Sequence, residues 1–219
     1  WVYQDTPRGR VNIRGDYVVE SGPTPVVRFE LGSYDPALSL VIDPVVVGGT
    51  YYGGTLIDIC RRVAVDTDGN VVVVGETAST DIPLGNAWQS ESGGGPGYPK
   101  NAYGCEAFVA KIDRSGTNLL FATYLGGAQI DAALTVKLDA ANGIWVGGLT
   151  QSPDFPVTTN AWSTKIHGTA YYGIYELDGF VSHLSADGSQ LLYSTYLGGK
   201  LEEQITDLVV APDQSIWVT

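Results

Sequence analysis

The chain has 219 residues, enough for one large all-β domain or one to two ordinary domains. A hydrophobic fraction of 44% with 28 glycines describes a folded protein with many tight turns and excludes a disordered tail. The net charge of −12 falls mainly after residue 50, where 8 of the 12 basic and 18 of the 24 acidic residues lie; such a surface repels phosphate backbones, so no nucleic-acid partner is expected.

Residues 1–49, which include Tyr3-Gln4, Arg14 to Tyr17, Phe29 to Asp35 and Leu40 to Pro44, precede the repeat. From residue 50 a repeat takes over. The phrase Thr-Tyr-x-Gly-Gly occurs at Thr50 to Gly54, Thr123 to Gly127 and Thr195 to Gly199. Gly116 to Gly127 matches Gly188 to Gly199 at 8 of 12 positions. Each unit holds four strand-like runs rich in β-branched and aromatic residues. The first is Arg62 to Asp66, matched by Thr135 to Asp139 and Asp207 to Ala211. The second is Asn70 to Gly75, matched by Gly143 to Gly148 and Ser215 to Val218. The third and fourth are Ala107 to Ile112 and Leu119 to Tyr124, matched by Gly179 to Leu184 and Leu191 to Tyr196. Turn residues that tolerate positive φ separate them, as at Thr67-Asp-Gly69 and Pro212-Asp-Gln214. No segment shows a long apolar period of 3.6, so helices should be few.

Four antiparallel strands per repeat mark a propeller blade. The expected fold is all-β: two full four-stranded blades at about 50–122 and 123–194, a partial third at 195–219, and a short β-region at 1–49 before them. Two blades and a fraction cannot close a ring of about four to eight, so other blades, or other chains, are expected to complete it. No apolar run approaches the roughly 20 residues that span a bilayer, so no membrane span is expected in this segment. The sequence has no methionine, opens at Trp1 within one strand-like run and stops at Thr219 within another. Both ends are expected to be cut, with any signal peptide lying upstream.

Tyr124-Leu-Gly-Gly127-x3-Asp131, Val65-Asp66-x3-Asn70-Val71, the Gly-x-Thr-x-Ser-x-Asp-x-Pro blocks at Gly75 to Pro83 and Gly148 to Pro156, and Ala107 to Lys111 recur in order. From about Thr50 to Thr219 this pattern resembles the bacterial and archaeal seven-bladed β-propeller repeat family. Residues 1–49 resemble the C-terminal strands of the β-rich domain that often precedes such repeats in large surface proteins. The resemblance implies a secreted or cell-surface scaffold and brings no catalytic residues or cofactor with it.

Asp58, Asp131 and Glu203 sit four residues after the second glycine of each Gly-Gly pair. They could form a ring of oxygen ligands for a cation, or each could cap the amides of its own loop. Asp66 to Asn70 opens like a calcium loop but lacks the later ligands, and reads as a hairpin turn. Thr77, Ser79 and Asp81, with Thr150, Ser152 and Asp154, make side-chain-to-backbone turns. His167 lies in an insert, and His183, which replaces Lys111, is expected at the surface; neither stands beside a nucleophile or a second acid, so no enzyme activity is expected. Cys60 and Cys105 both fall in the first repeat, with Ala133 and Leu177 at the matching places. They are either a disulfide formed in an oxidising compartment or two separate buried thiols.

Long inserts, Ser90 to Cys105 and Ser163 to Leu177, follow the second strand of each full repeat. They place Tyr98 and Tyr103 in one loop and His167, Tyr171, Tyr172 and Tyr175 in the other, close to Trp162. Aromatic loops on a rigid scaffold are where recognition sits. These could dock another protein, a copy of the chain or a surface glycan, or cover the edge of their own blade. The expected function is a non-catalytic structural, adhesive or self-assembling surface module. Carbohydrate binding through the inserted aromatics is the alternative, and a propeller lyase or glycosidase the weakest.

Overall fold

The computed structural model describes residues 1–20, 26–43, 49–93, 106–168, 170–171 and 174–219. Among these the regular elements are all strands. The chain divides into two compact units, Trp1–Gly49 and Thr50–Thr219.

The first unit contains β1 (Val2–Thr6), β2 (Gly9–Ile13), β3 (Gly15–Glu20), β4 (Val26–Leu31) and β5 (Leu40–Ile42). Strands β2, β1 and β5 form one antiparallel sheet with β1 in the middle, and β3 pairs with β4. Gln4 on β1 is buried, and its amide group is fully used: Nε2 donates to the carbonyl of Asp35 at 2.7 Å, and Oε1 accepts from the Asp35 amide at 2.8 Å. One side chain thereby ties the β4–β5 connection to the sheet without leaving a buried polar group unpaired.

The second unit holds the repeats. Its strands are β6 (Asp58–Val65), β7 (Val71–Thr77), β8 (Glu106–Ile112), β9 (Leu119–Leu125), β10 (Asp131–Leu138), β11 (Ile144–Thr150), β12 (Ala170–Tyr171), β13 (Ile174–Tyr175), β14 (Asp178–Leu184), β15 (Leu191–Leu197), β16 (Leu208–Val210) and β17 (Ile216–Val218). Two four-stranded antiparallel sheets, β6-β7-β8-β9 and β10-β11-β14-β15, are the two full blades. Strands β16 and β17 pair as the first two strands of a third, and β12 and β13 form a small hairpin in the second insert. Strands β6 and β10 start earlier than the expected runs, at Asp58 and Asp131, and carry a bulge at Cys60/Arg62 and Ala133/Thr135. The extra residues are drawn into the ladder because Asp58 and Asp131 pair across to Thr77 and Thr150. The expected positive-φ turns are present at Gly69 (+84°), Asn142 (+64°) and Gln214 (+67°).

Alternation along the strands gives each sheet two apolar faces. Val72, Val74, Val109, Phe121 and Leu125 of the first blade form one core with Val136, Ile144, Val146, Phe180 and Leu184 of the second. Each such side chain contributes about 1.5–3 kcal/mol on burial, so the two sheets are mutually dependent. The other face of the first blade, with Phe108 and Tyr124, is covered by Ile82 and by Tyr52, whose ring lies 5.5 Å from Phe108. The outer edge of each blade is covered by its own chain. Gly85 and Gln89 accept from Ala122 and Tyr124 at 2.9 and 3.1 Å, and Ser163 accepts from Tyr196 at 3.2 Å. An exposed edge strand would template aggregation, and these segments remove it.

Candidate functional site

The recurring acidic residues are held by their own loops. The amide of Gly54 donates to Asp58 Oδ2 at 2.8 Å, Ser79 Oγ donates to the same oxygen at 3.2 Å, and the Thr77 hydroxyl donates to Oδ1. The second blade repeats this, with Gly127 and Ser152 each donating to Asp131 Oδ2 at 2.8 Å. In the third repeat the amide of Gly199 donates to Glu203 Oε2 at 2.7 Å. Ser79 and Asp81 in turn accept from the amides of Leu56 and Thr55, and Ser152 and Asp154 from those of Gln129 and Ala128. The Gly-Gly pair and the Thr-x-Ser-x-Asp block are therefore the two halves of one clasp. The second glycine is required by the close approach: a Cβ on Gly127 would lie 2.7 Å from Ser152 Cβ. Burial of Asp131, opposed by bonds from Thr150, Gly127 and Ser152, pushes its carboxyl up to about 7. Among the described residues no group of three or more His, Cys, Asp or Glu is arranged to hold a metal ion. Asp58, Asp131 and Glu203 are dispersed, one to each loop.

Asp66 is a hairpin residue with a lysine where a cation would sit. Its Oδ1 accepts from the amides of Asp68 and Asn70, and its Oδ2 lies 2.8 Å from Lys111 Nζ. Burial alone would raise this carboxyl, but the bonds from Lys111 and Asn70 outweigh it and hold it at about 2. Lys111 also donates to the carbonyl of Ala186 at 3.2 Å, in the β14–β15 turn of the next blade. In the second blade the same pair is Asp139 and His183, 3.0 Å apart. His183 is not a surface residue. Its side chain is only 17% exposed, because the Trp145 ring stacks on it at 4.1 Å and 7°. Burial lowers its pKa below the usual histidine value, against the pull of Asp139.

The inserted aromatics divide. Tyr98, Tyr103, Tyr172 and Cys105 lie outside the described residues, as do the side chains of Tyr171 and Tyr175 on β12 and β13. Cys60 is exposed on β6. The amide of His167 donates to the buried Asp178 at 2.9 Å, which anchors the insert to the start of β14. Trp162 is 71% exposed.

Trp162 also lines a cavity of about 320 Å³ on the outward face of the second blade, with Trp145, Tyr193, Leu197, Ile216 and Val218 among its walls. Its lining is almost wholly apolar. The Tyr193 hydroxyl accepts from the Trp162 amide at 3.3 Å, and the Thr195 hydroxyl bonds the backbone of Ser163 and Tyr196. Reasoning from the inserts alone misses Trp145 and Tyr193, which lie on regular strands. The signal that finds them is the repeat itself: Trp145 stands where the first blade has Val72, and Tyr193 where it has Phe121.

The fold is that of all-β, propeller-type blades, and the comparison of families agrees with it. The family model described as SBBP, beta-propeller repeat, matches residues 48–83, which span the first Gly-Gly loop, β6, β7 and the Thr-x-Ser-x-Asp block. No curated protein matches the chain. The repeats thus form propeller-type blades whose recurring polar residues close their own loops.

Proposed function

We propose that the chain is a non-catalytic module of a secreted or cell-surface protein, in which the propeller scaffold makes contact with other polypeptides for adhesion or assembly. The observation that carries this reading is the aromatic cavity beside an exposed Trp162, on a scaffold whose repeated carboxylates and hydroxyls are engaged in backbone bonds. Tryptophan and tyrosine at the rim of an apolar hollow are the composition of an interface anchor. The reading is tested on intact producing cells with a membrane-impermeant amine-reactive crosslinker. Lys165 and Lys200, both exposed, flank the second blade. Adducts joining either lysine to another polypeptide are expected. Reaction only after lysis refutes the surface placement. Reaction without adducts, together with saturable binding of an oligosaccharide, refutes protein contact and favours the carbohydrate reading, for which the exposed Trp162 is the supporting feature.

A further inference from the structure

We propose that the entry to β14 binds a hydrated hard divalent cation, of the calcium and magnesium class, through the carboxylates of Asp178 and Glu176 beneath the second insert. The site uses none of the residues that line the aromatic cavity, so the inference stands apart from the contact reading above.

The two blades treat one buried acid differently. Glu106 opens β8 opposite Thr77, and Asp178 opens β14 opposite Thr150; both are fully buried. In the first blade both oxygens of the acid meet side-chain donors from the segment before it. Gln89 Nε2 reaches Oε1 at 3.5 Å, and Ser92 Oγ reaches Oε2 at 3.2 Å. In the second blade Ser163 takes the place of Gln89, as their amides show: each donates at 2.8 Å to a strand threonine, Thr195 or Thr123. Ser163 turns its hydroxyl to the carbonyl of Lys165 at 3.0 Å. Asp178 Oδ2 accepts from the His167 amide at 2.9 Å, and His167 Nδ1 lies 3.4 Å from the same oxygen. Asp178 Oδ1 is buried and, among the described residues, accepts no hydrogen bond. Every residue in this comparison lies inside its own repeat, ahead of or on the strand it serves.

A second such oxygen lies two residues away. Glu176 Oε2 is also buried and, among the described residues, accepts no hydrogen bond. The two acids lie against one step of the insert: the His167 amide bonds Asp178, and a Cβ on Gly168, the next residue, would lie 3.1 Å from Glu176 Cβ. Glu203 brings a third negative charge close, since its amide donates at 2.8 Å to the carbonyl of Leu177, which stands between the two acids. Among the described residues no lysine or arginine pairs with Glu176 or Asp178. Buried carboxylates need both donors and a counter-charge. A water would donate to one oxygen and leave the charge in place, whereas a divalent cation supplies what both acids lack. Carboxylate oxygens select calcium and magnesium over softer metals. These ions keep waters in their shell, so two carboxylates from the protein are enough to hold one.

The test titrates calcium chloride into chelator-treated protein by calorimetry, and follows thermal unfolding and trypsin cleavage after Lys165, an exposed residue of the insert. The expected result is one saturable site with a Kd of about 0.1–1 mM, the range of extracellular calcium modules. At about 10 mM calcium the Tm should rise by about 3–10 °C, and cleavage after Lys165 should slow. Asp178→Asn and Glu176→Gln should each weaken binding at least about tenfold, since affinity follows the ligand charge. In chelator both variants should unfold no earlier than wild type, because each removes a charge that nothing compensates. Glu91→Gln, at an exposed acid of the first insert, should bind as wild type does. Should Asp178→Asn fail to fold, Glu176→Gln decides alone. Absence of a saturable response to both calcium and magnesium overturns the inference. So does an equal response in wild type and Glu176→Gln, or an equal loss in Glu91→Gln, the mark of diffuse screening. Zinc binding that is tighter than calcium binding and is lost in His167→Asn overturns it in favour of an imidazole site. Each of these failures leaves the contact reading standing.

Discussion

Lys111→Met removes a charge from a place that little water reaches, while keeping most of the side-chain volume. Lys111 and Asp66 are 2.8 Å apart with side-chain exposures of 8% and 0%. The ammonium also reaches Ala186 of the next blade, so the residue bolts two sheets together. Methionine fills a similar space, which keeps the packing change small. What remains is a buried carboxylate without its counter-charge, a defect that costs about 3–5 kcal/mol. Asp66 keeps donors from Asp68 and Asn70, which places the expected loss near the lower end, about 3 kcal/mol. For a unit the size of Thr50–Thr219 that corresponds to a fall in Tm of about 6–12 °C. The pH dependence has a definite sign. The Asp66 carboxyl is held at about 2, below its ordinary 3.8, so its contribution is present above the unfolded value and is lost as pH falls through 2. The gap between wild type and variant should therefore shrink as the pH approaches 2. The assay is urea and thermal unfolding of both proteins at neutral and strongly acid pH. A neutral-pH loss below about 1 kcal/mol, the value of a surface pair, or a gap unchanged in acid, refutes the reasoning.

The clasp makes two further predictions, and the Asp139–His183 pair a third. Gly127→Ala should cost about 1–3 kcal/mol by overpacking, while Gly199→Ala, whose Cβ would lie 3.4 Å from Glu203, should unfold within about 0.5 kcal/mol of wild type; equal urea midpoints for the two variants would contradict the clasp geometry. Asp131 titrates in the folded chain at about 7, above its unfolded value, so its contribution is full below about pH 4 and is lost as pH rises through 7. Asp131→Asn should flatten that part of the stability curve, and parallel curves for both proteins would exclude Asp131 as the source. His183 should titrate below the ordinary 6.5 in an NMR experiment, because burial under Trp145 disfavours the imidazolium; Trp145→Ala should bring the value upward, and a wild-type value above 6.5 would show that Asp139 wins instead.

The repeat, its period and its four strands per unit were legible in the residues from Thr50 onward, because alternation, turn chemistry and recurrence are local properties of a chain. The same is true of Asp66 as a turn residue: a short carboxylate that bonds amides two and four residues on needs no distant partner. Other features needed the third dimension. Spacing places Asp131 after Gly127, but it does not say that Ser152, in another block, closes on the same oxygen. Its place opposite Lys111 in the repeat makes His183 read as a surface residue, and only the register that sets Trp145 beside it decides its burial. The cavity is the clearest case. Trp145, Trp162 and Tyr193 come from two strands and the segment leading into an insert, and no sequence window contains them together. The sequence by itself determined which segments are strands and where they turn, since those depend on neighbours along the chain. The tertiary structure alone decided which carboxylates are spent on loops and which distant aromatic residues share one wall, since those depend on which segments pack on which.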